Sequence, residues 1–155
     1  MHIRLIAVGD RQPAWVDDAV DSYTVRFPPQ WRFRLDSVPA ARRSGKQPAA
    51  AKREEGRAIL AKIASGERVV LLDERGQQLT STELASRMES WQADGSDLCF
   101  VIGGPDGVAD DCRARADFTW SLSSLTLPHG MARVIVAEQL YRAWSLASGH
   151  PYHRN

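Results

Sequence analysis

The sequence predicts an α/β fold: a mainly parallel sheet with helices on both faces. Strand-like segments alternate with segments of helical period along the whole chain. Two of the strand segments, Arg68–Asp73 and Asp97–Ile102, are near-continuous apolar runs, as expected of parallel strands covered on both sides. The length of 155 residues suits a single domain spanning 1–155, large enough for an ordinary core and too short for two.

The elements follow in order. His2–Val8 reads as a short buried strand. Pro13, tolerated in a first helical turn, opens a helix through Trp15, Val16, Val20, Tyr23 and Phe27, and Pro28-Pro29 stops it. Trp31–Val38 alternates apolar and polar residues, the period of a strand with one wet face near a sheet edge, and Arg32 and Arg34 fall on that face. Pro39–Pro48 has no periodicity and concentrates positive charge, which predicts a mobile basic loop. A helix spans Ala49 to about Ala64, the strand Arg68–Asp73 follows, and Ser81–Ala93 forms the next helix, capped by Ser81 or Thr80. Asp97–Ile102 is a buried strand that runs into Gly103-Gly104-Pro105-Asp106-Gly107, then a short helix from about Asp110 and a last strand, Phe118–Ser121. The final helix, about Met131–Ala147, has one apolar face of Val136, Leu140, Ala143, Trp144 and Ala147 and another containing Ile135 and Leu146. One sheet cannot cover both faces, so a second subunit is expected against this helix.

Composition excludes several classes. With 43% hydrophobic and 25% charged residues, disorder and fibrous structure are out. No apolar run approaches the ~20 residues of a membrane helix, and the start lacks a signal peptide, so the expected location is the cytoplasm with no membrane partner. Cys99 and Cys112 stand apart without metal-type spacing, so neither a disulfide framework nor a bound metal is expected. The net charge of +1 argues against bulk coating of nucleic acid, yet it is uneven. Residues 1–60 carry 11 basic and 7 acidic groups, whereas 73–117 carry 4 and 10.

In a parallel α/β sheet, ligands bind beyond the carboxyl ends of the strands. Three loops leave such ends: Asp73–Gln78, Gly103–Gly107 and Leu122–Gly130. Gly103-Gly104 fits either a nucleotide-like ligand against bare main chain or an ordinary tight turn. GxGxxG and GxxxxGK[ST] are both absent, which disfavours dinucleotide binding and ATP or GTP hydrolysis. The half-apolar stretch Leu122–His129 suits a folded-back segment around a flat ring, or a buried connection. His129, just before the last helix, is either a neutral proton acceptor favoured by the helix N-terminus or a capping residue. The terminal His150-Pro151-Tyr152-His153-Arg154-Asn155 is either a frayed tail or an ordered group that stacks on bases and pairs with phosphate.

Val101–Gly107, Leu122–His129, Arg142-Ala143-Trp144 and His150–Arg154, together with Leu5–Gly9, Trp15, Arg26-Phe27-Pro28 and the basic loop before Lys52-Arg53, resemble the RlmH (YbeA) family. These are ribosomal large-subunit pseudouridine N3-methyltransferases of the SPOUT superfamily, and the resemblance covers essentially the whole chain. It implies a deep C-terminal trefoil knot that holds S-adenosylmethionine, a homodimer built across knot helices, and methylation of a pseudouridine in helix 69 of 23S rRNA in assembled ribosomes. By position it assigns Leu72, Gly103, Gly104, Leu122, Ser123, Ser124, Leu125, Thr126 and Leu127 to the methyl donor. Arg142, Tyr152, His153 and Arg154 go to the RNA side, reaching the partner's pocket. His129, Tyr152 and His153 are the candidates to accept the N3 proton, with the base left unassigned. Arg42, Arg43 and Lys46, with Lys52 and Arg53, are expected at rRNA phosphates. Gly130 departs from the bulkier residue or proline of some relatives, which predicts a looser start to the last helix. A ribosome-binding or assembly factor without catalysis, or a methyltransferase of small molecules, are the alternative functions.

Overall fold

The computed structural model describes residues 1–43 and 47–154; Lys46 of the basic loop lies outside them. The strands among the described residues are β1 (His2–Val8), β2 (Arg32–Val38), β3 (Arg68–Gln78), β4 (Leu98–Ile102) and β5 (Phe118–Ser121). They form one parallel sheet in the order β2-β1-β4-β3-β5. The helices are α1 (Ala14–Thr24), α2 (Pro48–Lys62), α3 (Ser81–Ala93), α4 (Asp110–Arg115) and α5 (His129–Ser148), and a 3₁₀ turn, Pro151–Arg154, ends the described chain.

Side-chain alternation sorts the core into two layers. Ile3, Leu5, Val70, Leu98, Phe100 and Trp120 face one side, under α3 and α5. Ile6, Val8, Val69, Leu71, Cys99 and Val101 face the other, under Ile59 of α2 and Cys112 of α4. β4 is buried at all five positions because it lies between β1 and β3. The alternating β2 is an edge strand, and Arg32 and Arg34 lie on its wet face as its period required. Thr80, not Ser81, caps α3: its hydroxyl accepts from Glu83 N–H at 3.1 Å, and the Glu83 carboxylate accepts from Thr80 N–H at 2.7 Å. Both cysteines are buried and free, and burial pushes the Cys99 thiol up to about 12.

Three expectations change. Asp73–Gln78 is not a loop. β3 continues through it along β5 with a register shift between Leu72 and Gln77, so that both stand opposite Trp120. Glu74, Arg75, Gln77 and Gln78 are exposed while Asp73 is half-buried, and Gly76 permits the close approach to β5, since a Cβ there would lie 2.6 Å from the Thr119 carbonyl. The broad apolar coat of α5 is mostly used within the chain. Val136, Leu140 and Ala143 are buried against the sheet and α3, while Ala137 packs on Val16 and Val20 of α1. Leu140 has no exposed surface left for a partner, and Ala147 is exposed. Finally, the start of α5 is not loose at Gly130: a Cβ there would meet Val16 at 2.9 Å and Gln12 at 3.0 Å, so glycine lets α5 press against α1.

Candidate active site

Register sets Leu72 level with Ile102 of β4 and Trp120 of β5, where β4 and β5 end and β3 breaks its pairing before rejoining β5 at Gln77. Beyond those ends lies a cavity of about 420 Å³. Leu72, Gly103, Gly104, Leu122, Ser123, Leu125, Thr126 and Leu127 line it, while Ser124 does not. His129 and Ala132 close it from α5. Leu125, 72% exposed, sits on its rim as one of the few large apolar side chains in water.

The glycine turn has a reason internal to the chain. Gly107 N–H donates to the Gly104 carbonyl at 3.0 Å. A Cβ on Gly103 would lie 2.5 Å from Val108, and one on Gly104 would lie 2.5 Å from Glu55 Oε1. Ordinary packing therefore demands both glycines, and the bare main chain they leave still faces the cavity. Loop 122–127 is held by local bonds, Ser121 Oγ to the Ser123 carbonyl at 3.0 Å and Leu125 N–H to Ser123 Oγ at 2.9 Å.

His129 is the first residue of α5, after Pro128 at the N-cap, so it is not a capping side chain. Its pKa is lowered, as anticipated, but chiefly by burial and then by the Arg133 guanidinium. Arg133 is itself buried; it donates to the Gly9 and Val8 carbonyls, and its Nε has no partner among the described residues.

The expected ligand-side stretch Asp73–Gln78 supplies Asp73, Glu74 and Arg75 to the cavity, and Arg113 of α4, also on its wall, escaped sequence reasoning. Asp73 pairs with Arg113 of α4 and accepts from Arg75 N–H at 2.8 Å. Burial opposes ionisation of Asp73, but these donors outweigh it and hold the carboxyl below its ordinary range. Forty residues separate Asp73 from Arg113, and no local pattern links them.

The other expected site residues gather elsewhere. Tyr152 Oη donates to Glu138 Oε1 at 3.0 Å, and Arg142 donates to the same oxygen at 2.6 and 2.9 Å. Burial, followed by bonds to Tyr23 and Glu138, raises the Tyr152 phenol. Its ring packs 4.7 Å from that of Tyr141, under the Arg26 guanidinium. The tail is thus an ordered turn on α5. His153 has a buried Nδ1 without a partner among the described residues, and Arg154 is exposed. Tyr152 and His153 do not line the cavity, so of the three candidate proton carriers it holds His129. Glu138 was missed, although its i,i+4 spacing to Arg142 was a usable signal.

In the basic loop Arg42 is exposed, whereas Arg43 is spent on internal partners: Glu55, Asp106 and the Ala41 carbonyl. Among the described residues no helix is long and apolar enough to cross a membrane, and no group of three or more His, Cys, Asp or Glu could hold a metal.

Residues 1–153 match the family model described as "Predicted SPOUT methyltransferase". The chain is 52% identical to the ribosomal RNA large subunit methyltransferase H of Methylibium petroleiphilum, over 99% of each chain. It is 49% identical to the protein of that name from Thioalkalivibrio sulfidiphilus, again over 99% of both. A probable methylase family protein from Haemophilus influenzae has the same fold, with a TM-score of 0.60 at 14% identity, covering 97% of this chain and 67% of that one. Matched by the family model over residues 1–153 and by the curated relatives over nearly its whole length, the chain belongs to the SPOUT methyltransferase family.

Proposed function

We propose that this enzyme methylates large-subunit ribosomal RNA from S-adenosylmethionine, at N3 of a pseudouridine in helix 69 of 23S rRNA in the assembled ribosome. The observation that carries the reading is the cavity beyond β3, β4 and β5, with His129 on its wall. Its volume lies within the range of small-molecule sites. Its lining suits the methyl donor: Leu72, Ile102, Leu122 and Leu127 offer apolar surface to a purine, and loop 122–127 offers main-chain groups to its polar edge.

S-adenosylmethionine supplies an electrophilic sulfonium methyl. The chain's part is to orient that methyl toward the nucleophilic nitrogen, which makes the displacement effectively unimolecular. His129, kept neutral by burial and Arg133, stands ready to accept the N3 proton. Arg142 and Tyr152, fixed by Glu138, and the neighbouring His153 and Arg154 lie on the RNA side. The working unit is a single-domain chain in a cytoplasmic homodimer, with the C-terminal trefoil knot of the family.

The test is methyl transfer to ribosomes and free subunits lacking the modification, followed by mass mapping of the product nucleotide. One methyl on a helix 69 pseudouridine is expected. Donor binding without transfer would replace this reading with that of a ribosome-binding factor.

A further inference from the structure

Arg43 comes from the loop after β2, and its guanidinium ties that loop to two other segments, α2 and the glycine turn. Nε donates to Asp106 at 2.7 Å; the two Nη groups donate to Glu55 at 2.9 and 3.1 Å, and one of them also donates to the Ala41 carbonyl at 2.8 Å. Glu55 is 3% exposed and also accepts from Ala41 N–H at 2.9 Å. Asp106 is at the tip of the glycine turn that walls the cavity, and Gly104, at its base, rests against the Glu55 carboxylate. The turn is thus supported at its base by Glu55 and tied at its tip by Arg43, which Glu55 in turn grips with both oxygens.

We infer that Arg43 is a positioning residue for the methyl-donor pocket, a brace that fixes the Gly104–Gly107 turn through Glu55 and Asp106, rather than an RNA contact. The inference rests on the assignment of the cavity to S-adenosylmethionine. Charge separates the two roles. One cation between two carboxylates leaves the cluster net negative, which repels phosphate. Four hydrogen bonds also occupy most of the five guanidinium N–H groups. Arg42, exposed and next in the chain, stays available to RNA.

Lysine distinguishes a brace from a phosphate contact, because a point charge serves a phosphate while a forked clamp needs the planar guanidinium. Calorimetry with S-adenosylhomocysteine on the full chain, for wild type, Arg43→Lys, Asp106→Ala and the double variant, provides the test. Arg43→Lys and Asp106→Ala should each weaken binding about tenfold, the worth of one charge-assisted hydrogen bond. The double variant should be no weaker than Arg43→Lys alone, since both changes cut the same tie. Ribosome binding without the donor, and its salt slope, should stay at the wild-type level in Arg43→Lys and Arg43→Ala. Asp106→Ala leaves the buried Glu55–Arg43 pair intact and so reports on the tie without risk to the fold. Wild-type donor affinity in both single variants would overturn the brace, as would a lower salt slope for ribosome binding in Arg43→Ala. Failure of the pocket assignment has its own signature, no uptake of S-adenosylhomocysteine by the wild-type chain.

Discussion

His129 should make the fold and the reaction sensitive to mild acid. Its folded pKa lies below the ordinary 6.5 because burial, then Arg133, disfavours the imidazolium. As the pH falls through 6.5, the unfolded chain takes up a proton that the folded ring refuses. Stability therefore drops until the folded ring also titrates, and the contribution is fully present above 6.5. One such proton gives a slope of at most about 1.4 kcal/mol per pH unit. Urea denaturation of wild type and His129→Gln across this range isolates the effect, because other groups titrate equally in both. The wild type should lose more stability toward acid, and Arg133→Met should bring the ring back toward 6.5 in an imidazole NMR titration. If His129 accepts the N3 proton, kcat/KM should fall in acid with a midpoint below 6.5. A ring that titrates at or above 6.5, or identical pH slopes in wild type and His129→Gln, would refute the argument.

Two other substitutions probe separate parts of the molecule. Arg154→Ala should cripple methyl transfer while sparing donor binding by calorimetry, since Arg154 is exposed on the terminal turn outside the cavity; equal loss of both would remove it from the RNA side. Leu140→Ala should cost about 2–5 kcal/mol of unfolding free energy by chemical denaturation, because Leu140 is fully buried in one chain's core. A destabilisation below 1 kcal/mol with a lowered dimer mass in light scattering would place it at a subunit interface instead.

Periodicity found the elements of this fold because each is locally decided. The apolar run Leu98–Ile102 has nowhere to go but between two strands, and the alternation in Arg32–Val38 needs one wet face. It failed where long-range contact outweighs local pattern. Asp73–Gln78 looks like a loop because its residues are polar, but Gln77 and Gln78 rejoin β5 opposite Trp120 and Ser121 and carry the strand on. The apolar load of α5 reads as needing a cover besides the sheet; α1 and α3 of the same chain take much of it, while Ile135 stays half-buried outside the core clusters. At the site, the glycine turn and loop 122–127 were visible as unusual composition. Arg43 was not separable from Arg42, because its partner Glu55 is identified by burial and the fold rather than by charge or spacing.

The placement of the tail argues for a second copy. His129 begins α5, while Glu138 and Arg142, which hold Tyr152, lie 9 and 13 residues later in the same helix. At 1.5 Å per residue that is roughly 14–20 Å along the axis, too far for one nucleobase to touch both. A two-fold partner with an antiparallel α5 would place its own tail over the first chain's pocket and exchange the reverse contact. Complementation tests this directly. His129→Ala and Arg154→Ala homodimers, each inactive, are mixed, unfolded and refolded together. Half of the dimers are then mixed, and each mixed dimer carries one site with both defects and one with neither. Activity should recover to about a quarter of wild type. If tail and pocket act within one chain, every site in the mixture retains a defect, and no recovery should appear.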